Sequence, residues 1–416
     1  MPEPIVNEFH VAPVWLTRDY VEQKLRLYFK DAKLQLTELQ VTPGTANGEN
    51  YASVMTRINV EFKDKDQAIQ RATFLVKTTF ADKDPAAHLL GPYGIYVREM
   101  DMYQEVLPKL AAIVKQELGD PRKLFAATVN VDRDRDSIIF EDMSLEKYFV
   151  ADRIKQLDRE HMQLVLEKLA EFHAASAVLN ERQPGIFAEK YDRCFFNNHT
   201  RGYKPVMQNM VKALIRSLED DKELHDRYAE KLKGVVEHIM DYGERTMIPK
   251  KGDFVTLCHG DLWTTNMMFK NNTQGKPENV IFIDFQFSVY NSPAIDLQYL
   301  FSTSLQDGIC HIEMVQFYHG KLVEALKKLN YNGAIPTLFD FQLQFQARYF
   351  YSIFSSFCFL PAMLHSGNEE FSIQRAASFA EKDAEVRVEL HKADVMRPKV
   401  TKLLPFFDKR GLLDEM

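Results

Sequence analysis

The sequence predicts an α+β protein of two lobes, a small lobe built on an antiparallel sheet and a larger helical lobe. Three observations lead there. Apolar and polar residues alternate in short runs through the first third of the 416-residue chain, the pattern of half-buried strands. From Asp158 onward apolar residues recur at helical spacing. That pattern breaks at 254–266, where a short apolar run ends in His259-Gly260-Asp261.

Residues 17–30 predict an amphipathic helix capped by Thr17, with Val21, Leu25 and Tyr28 on one face. Two alternating runs follow, Leu34–Val41 and Tyr51–Phe62, joined by a stretch rich in turn formers from Thr42 to Asn50. A third run, Ala72–Phe80, carries Lys77, and the three together predict an antiparallel meander. Pro92 to Gln116 is helical by period, with Val97, Met100, Tyr103, Val106 or Leu107, and Leu110 on one face, and Pro108 should bend or split it. Leu124–Val131 and Ser137–Glu141 complete five strands, so the small lobe is expected at 1–142 and the helical lobe at 143–416.

In the second lobe Met162, Val165, Leu166, Leu169 and Phe172 form a buried stripe, followed by helical stretches near 203–218 and 222–245. Val255–Cys258 and Val280–Ile283, joined through Met267–Asn279, predict a hairpin-like unit that brings Asp261 and Asp284 to one place. The rest, from Ala294 to about Ala393, is helical and rich in Phe and Tyr.

Composition narrows the function. With 45% hydrophobic residues the chain can bury a sizeable core. A net charge of -7 and a pI of ≈ 6.0 give no reason to expect nucleic acid or an anionic membrane as partner. No apolar run reaches the ~18 residues of a membrane span, and Met1–His10 lacks the basic and apolar regions of a secretory signal. The four cysteines form no CxxC pair, which argues against a disulfide framework or a zinc site. A cytoplasmic protein is expected, and no protein partner is.

The chemistry is carried by His259-Gly260-Asp261-Leu262-Trp263-Thr264-Thr265-Asn266 and by Ile283-Asp284-Phe285-Gln286. Phosphoryl transfer from ATP requires a carboxylate beside the attacking hydroxyl and hard oxygen ligands that hold Mg²⁺ against the phosphates. Asp261 and Asn266 have the five-residue spacing of a catalytic base and a metal-binding amide on one loop. Asp284 follows after an apolar strand as the second metal ligand. Upstream, Gly44 and Gly48 lie in a hairpin whose backbone N–H groups suit phosphates. Lys77, in the third strand, needs a partner on its buried side. Glu99 on the following helix supplies one, and the pair would position the α- and β-phosphates. Glu105 is the rival partner, nearly two turns further on. His173, Trp263 and Cys258 are expected as packing residues. The aromatic cluster of Tyr349, Phe350, Tyr351, Phe354, Phe357 and Phe359 is expected in the core, with part of it free to line an acceptor pocket.

These segments, with Gly48-Glu49-Asn50-Tyr51-Ala52-Ser53, Phe74-Leu75-Val76-Lys77, Glu99 to Tyr103 with Leu107-Pro108, and Asp296-Leu297, resemble the ecdysteroid-kinase-like family of arthropods. That family is grouped with choline kinases and aminoglycoside phosphotransferases. The resemblance implies a bilobal protein-kinase-like fold. It implies Asp261 as base, Asn266 and Asp284 as Mg²⁺ ligands, and Lys77 with Glu99 as the phosphate-positioning pair. Gly44, Gly48 and Asn50 fall at the nucleotide loop, and Asp296 becomes a carboxylate bracing the catalytic loop. Gln286 stands where protein kinases have the Gly of Asp-Phe-Gly, and no Ala-Pro-Glu activation segment is present, which argues against a protein substrate. The implied acceptor is a small-molecule alcohol, an ecdysteroid or another steroid-like or dietary lipophilic one. The alternatives are a kinase-fold ligand-binding protein, a kinase for a choline-like or other small polar alcohol, and a metal hydrolase built on His259, Asp261 and Asp284. A P-loop kinase is disfavoured because GxxxxGK[ST] is absent.

Overall fold

The computed structural model describes residues 11–44, 53–79, 85–366 and 372–414. Gly48 and Asn50 therefore lie outside the described residues. The chain forms an α+β structure in which one five-stranded sheet accompanies a larger helical body.

The sheet strands are β1 (Gln35–Pro43), β2 (Val54–Lys63), β3 (Ile69–Thr78), β4 (Thr128–Asp132) and β5 (Ser137–Glu141), ordered β1-β2-β3-β5-β4 and antiparallel throughout. The first three form the expected meander. Strand period sorts β3 by face: Phe74 and Val76 join the core beneath the Arg18–Phe29 helix, while Leu75 and Lys77 point the other way. That helix starts at Thr17, whose side chain accepts from the Tyr20 N–H. Val21 and Leu25 are buried as expected, but Tyr20 completes the face and Tyr28 is 39% exposed.

The segment after β3 departs from a single bent helix. Helix Ile95–Asp101 runs into a wide turn at Met102–Val106, then helix Leu107–Ile113, then a second wide turn at Val114–Leu118 that ends at Gly119. Pro108 explains the first wide turn. It has no N–H to give and its ring crowds the carbonyl four residues back, so the turn before it opens and the Leu107 N–H reaches Met102 O instead. Met100, Tyr103, Val106, Leu107 and Leu110 are buried together with the helical body's core. Val97, expected on that face, is 55% exposed, because the buried side of the first turn is given to Ile95, Arg98, Glu99 and Met100. The helix bearing Glu99 is thus seated on the helical body.

There, helix Arg159–Arg182, capped by Asp158, buries the predicted stripe. Helices Lys204–Ser217 and Lys222–Met247 lie close to the predicted bounds. The hairpin expectation is corrected. Short strands β6 (Phe149–Val150), β7 (Thr256–Cys258), β8 (Met267–Asn271), β9 (Pro277–Phe282) and β10 (Val289–Asn291) make two small sheets, in which β9 pairs with β8 and β7 with β10. The connection itself supplies a strand because Asn272 closes a tight turn. Its side-chain oxygen accepts from the N–H groups of Gln274 and Lys276, and Gly275 takes φ 79. Asp261 and Asp284 still leave their strands toward the same cleft, β7 and β9 delivering them through different partners.

Candidate active site

The loop from His259 to Asn266 is held from beneath by a buried carboxylate. Asp296, at the start of helix Ala294–Ser304, accepts the backbone N–H of His259 at 2.7 Å and of Gly260 at 2.8 Å. His173 Nε2 lies 3.1 Å from the same carboxylate, and His173 Nδ1 lies 2.7 Å from the Tyr318 hydroxyl. Burial works to raise Asp296, but the hydrogen bonds and the neighbouring imidazoles prevail and hold it below the usual carboxylate range. His173, Cys258 and Asp296 place one N, S and O atom each within 4.8 Å, the only such trio among the described residues. Both Asp296 oxygens are spent on the backbone and His173, so this cluster is a brace.

Two further features fix the loop. The Asp261 N–H donates to His259 Nδ1 at 3.3 Å, so Nε2 carries the ring proton and gives it to Ile283 O at 2.9 Å. Burial lowers His259, consistent with a neutral ring that ties the Asp261 loop to the end of β9. Gly260 has φ +83, and a Cβ there would sit 2.0 Å from Phe287 O, so only glycine fits.

Asp261 is 9% exposed. Burial and the charge of Asp284 push it up to about 8, while hydrogen bonds from Tyr299 and Asn266 and the charge of Lys77 pull the other way. Asn266 donates Nδ2 to the Asp261 backbone oxygen at 2.8 Å, which leaves its Oδ1 for another partner. Asp284 sits in the left-handed region at φ 66, a conformation aspartate tolerates better than most residues. The oxygens of Asn266 and Asp284 form a hard donor set that fits Mg²⁺.

Lys77 Nζ reaches Glu99 at 2.7 Å and Asp284 Oδ1 at 2.8 Å, with the lysine 11% exposed. Burial opposes the lysine's charge, yet the two carboxylates raise it well above its usual value and keep it charged. Glu105, the rival partner, is exposed within the wide turn. Gly44 ends the β1 run; its N–H donates to Met55 O at 2.9 Å, and a Cβ would lie 3.0 Å from the Met55 backbone.

Beside Asp261 opens a cavity of ≈ 710 Å³ with its mouth included. Its wall is largely aromatic, from Phe195, Tyr203, Trp263, Phe287, Tyr299 and Phe359. Of the aromatic cluster expected near residue 350, Phe359 reaches the wall, while Phe350, Tyr351, Phe354 and Phe357 are core. Sequence reasoning missed several residues here. Tyr299 follows Asp296 by three positions, one helical turn, which could have marked it. Phe195 and Phe287 gave no signal. Arg98 is 5% exposed and donates to Gln286 O at 3.2 Å and Tyr93 O at 3.0 Å, tying the Glu99 helix to the segment after Asp284.

A choline kinase from Streptococcus pneumoniae, LicA, is 13% identical, with 90% of this chain and 99% of that chain covered and a TM-score of 0.33. LicA in complex with AMP is also 13% identical, with 81% and 98% covered and a TM-score of 0.32. A glucosamine kinase in complex with glucosamine, ADP and inorganic phosphate is 11% identical, with 95% and 100% covered and a TM-score of 0.30. No curated protein sequence matches the chain. The family match spans residues 47–331, more than two thirds of the sequence and every described residue of the site up to Asp296 and Tyr299 except Gly44. The chain belongs to the ecdysteroid kinase-like family, a family of small-molecule kinases.

Proposed function

We propose that the protein transfers the γ-phosphoryl group of ATP, with Mg²⁺, to a hydroxyl of a small, uncharged lipophilic molecule. An ecdysteroid, or a related steroid-like or dietary alcohol, is the acceptor class. One observation carries the reading: Asp261 stands in the wall of an aromatic cavity, with Asn266 bonded to its backbone oxygen and the charge of Asp284 close enough to act on its carboxylate. A lipophilic alcohol in that cavity brings its hydroxyl to a carboxylate that burial has made more basic.

In this reading Lys77, held by Glu99, positions the α- and β-phosphates. Asn266 Oδ1 and the Asp284 carboxylate hold the metal, which when bound neutralises charge on the phosphates. Asp261 orients the acceptor hydroxyl and takes its proton as the new O–P bond forms. The bond from phosphorus to the β–γ bridging oxygen breaks, and ADP leaves with that electron pair. Tyr299, donating to the Asp261 carboxylate, restricts its rotation. Gly44, Gly48 and Asn50 would contact the phosphates, the last two lying outside the described residues. Among the described residues no helix is long and apolar enough to cross a membrane, and the reading places the enzyme in the cytoplasm, where ATP is.

A second acceptor class is favoured by the same wall. Aromatic rings with one carboxylate can cage a quaternary ammonium group such as choline. Among the described residues Asp261 is the only acidic one lining the cavity, and it serves as the base, so the neutral alcohol is preferred. Incubation with ATP, Mg²⁺ and a panel of ecdysteroids, sterols, choline and peptides decides the matter. Phosphorylated sterol-like alcohols support the proposal, and phosphorylation of choline or peptides alone overturns it.

A further inference from the structure

Among the described residues six aromatic side chains line the cavity, and five of them pack on one another. Phe195 stacks on Phe287 with ring centres 4.2 Å apart, and it meets Tyr203, Tyr299 and Phe359 at 5.4, 6.1 and 5.0 Å. Trp263 is the sixth, and it meets no other aromatic ring among the described residues. It is also more accessible, 7% exposed against 1–3% for Phe195, Tyr203, Phe287 and Tyr299. The chain sets it beside the reacting end of the cavity. Trp263 follows Asp261 by two positions and both line the cavity, while Leu262 between them is fully buried in the core.

A bound molecule can supply the neighbour that the indole lacks. Two aromatic rings attract each other beyond the apolar area they bury, because the face of one favours the edge of the next. A saturated ring or chain gains from area alone. We propose that Trp263 is the residue that selects the acceptor, and that it favours a neutral aryl alcohol whose ring packs on the indole while its hydroxyl lies at Asp261. A cation can use an indole too, but among the described residues the wall offers it no carboxylate besides the base. This inference rests on the proposed phosphotransfer reading for the hydroxyl at Asp261, but its test reads binding alone.

The probes are matched pairs that differ only in aromaticity: 2-phenylethanol with 2-cyclohexylethanol, and 2-naphthalenemethanol with its decahydro counterpart. The saturated member carries more apolar surface, so burial alone favours it. Titration calorimetry without ATP should instead show the aryl member binding roughly 2–10-fold more tightly. Trp263→Leu should bring that ratio to one or below, and Trp263→Phe should keep most of it. The chain's other tryptophan is Trp15, so in a Trp15→Phe background the emission of Trp263 should change as the aryl alcohol binds. Should Trp263→Leu fail to fold, the ratio in the unaltered protein and this emission decide. Equal or tighter binding of the saturated members, binding of no pair, a ratio that survives Trp263→Leu, or emission unchanged at saturation overturns the inference. Choline binding that depends on Trp263, with no aryl alcohol bound, overturns it as well. Aryl-selective binding without phosphate transfer to any alcohol upholds the role of Trp263 and removes the kinase reading. Transfer to alcohols with no aryl preference does the reverse.

Discussion

Lys77 Nζ lies 2.8 Å from Asp284 Oδ1, a contact that spans 207 positions of sequence and joins the sheet to the loop after β9. The same ammonium lies 2.7 Å from Glu99, so one lysine holds two carboxylates that would otherwise repel each other across the cleft. Replacing it leaves a nearly fully buried Glu99 and its neighbour without a counter-charge. Lys77→Met should lower kcat/KM for MgATP by at least about 100-fold. It should also cost about 3 kcal/mol of stability, the scale of a broken buried pair. Steady-state kinetics and urea melts of the same preparation check both. Glu99→Gln, which leaves Asp284 in place, should be milder on both readouts.

Asp261→Asn keeps the shape of the side chain and can still receive the Tyr299 hydroxyl, but it loses charge and basicity. Turnover should fall by roughly 10²–10⁴ in kcat with MgATP affinity little changed. Asp284→Ala should instead abolish the Mg²⁺ response. The two variants separate only if affinity for MgATP is measured directly, by calorimetry. Equal loss of MgATP binding in both would assign Asp261 to the metal rather than to the acceptor.

The cavity makes a separate prediction at a residue remote from phosphate chemistry. Ala362 lines it and is half-buried. Ala362→Phe adds a ring to that space. The acceptor KM should rise at least about tenfold while KM for MgATP moves less than about twofold. If both constants move together, this cavity is not where the acceptor binds.

What the sequence disclosed and withheld follows from which interactions are local. Strand alternation and helix period placed all five sheet strands and the long helices, because each pattern is written within one element. The HxDxxxxN spacing likewise set Asp261 beside Asn266. Lys77 with Glu99 was legible because a lysine on a buried strand face demands a partner. Asp284 as the second partner was not, since nothing local joins positions 77 and 284. The pairing of β9 with β8 was missed because the Asn272 turn hides a strand inside a connection. The cavity wall was largely illegible. Phe195, Phe287 and Tyr299 come from three separate elements, and only folding brings them together. Val97 failed for the opposite reason. The periodicity counted it as apolar face, while the helix gave that face to Arg98 and Glu99.

His391 predicts how the fold responds to acid. It is fully buried, and Nε2 lies 3.1 Å from Met210 O, so Nε2 carries the proton of a neutral ring. Among the described residues Nδ1 has no partner, so a second proton would add a buried donor with nothing to accept it. Burial accordingly lowers His391 to about 4, and the bond to Met210 only partly offsets this. The folded value lies below the ordinary 6.5, so between these two pH values the unfolded chain binds a proton that the folded chain refuses. The His391 contribution is therefore complete above pH 6.5, falls as pH drops toward 4, and levels off below that. The full loss is about 3 kcal/mol on the scale of 1.36 kcal/mol per pKa unit. Urea melts at pH 7.5, 6.0, 5.0 and 4.5 measure it. Carboxylates add their own slope at the acid end, so His391→Gln, which can still donate to Met210 O without titrating, supplies the reference. The difference between the two proteins should favour the wild type least at the lowest pH. A difference that does not change across this range would show that His391 takes up its proton in the folded state as freely as in the unfolded one.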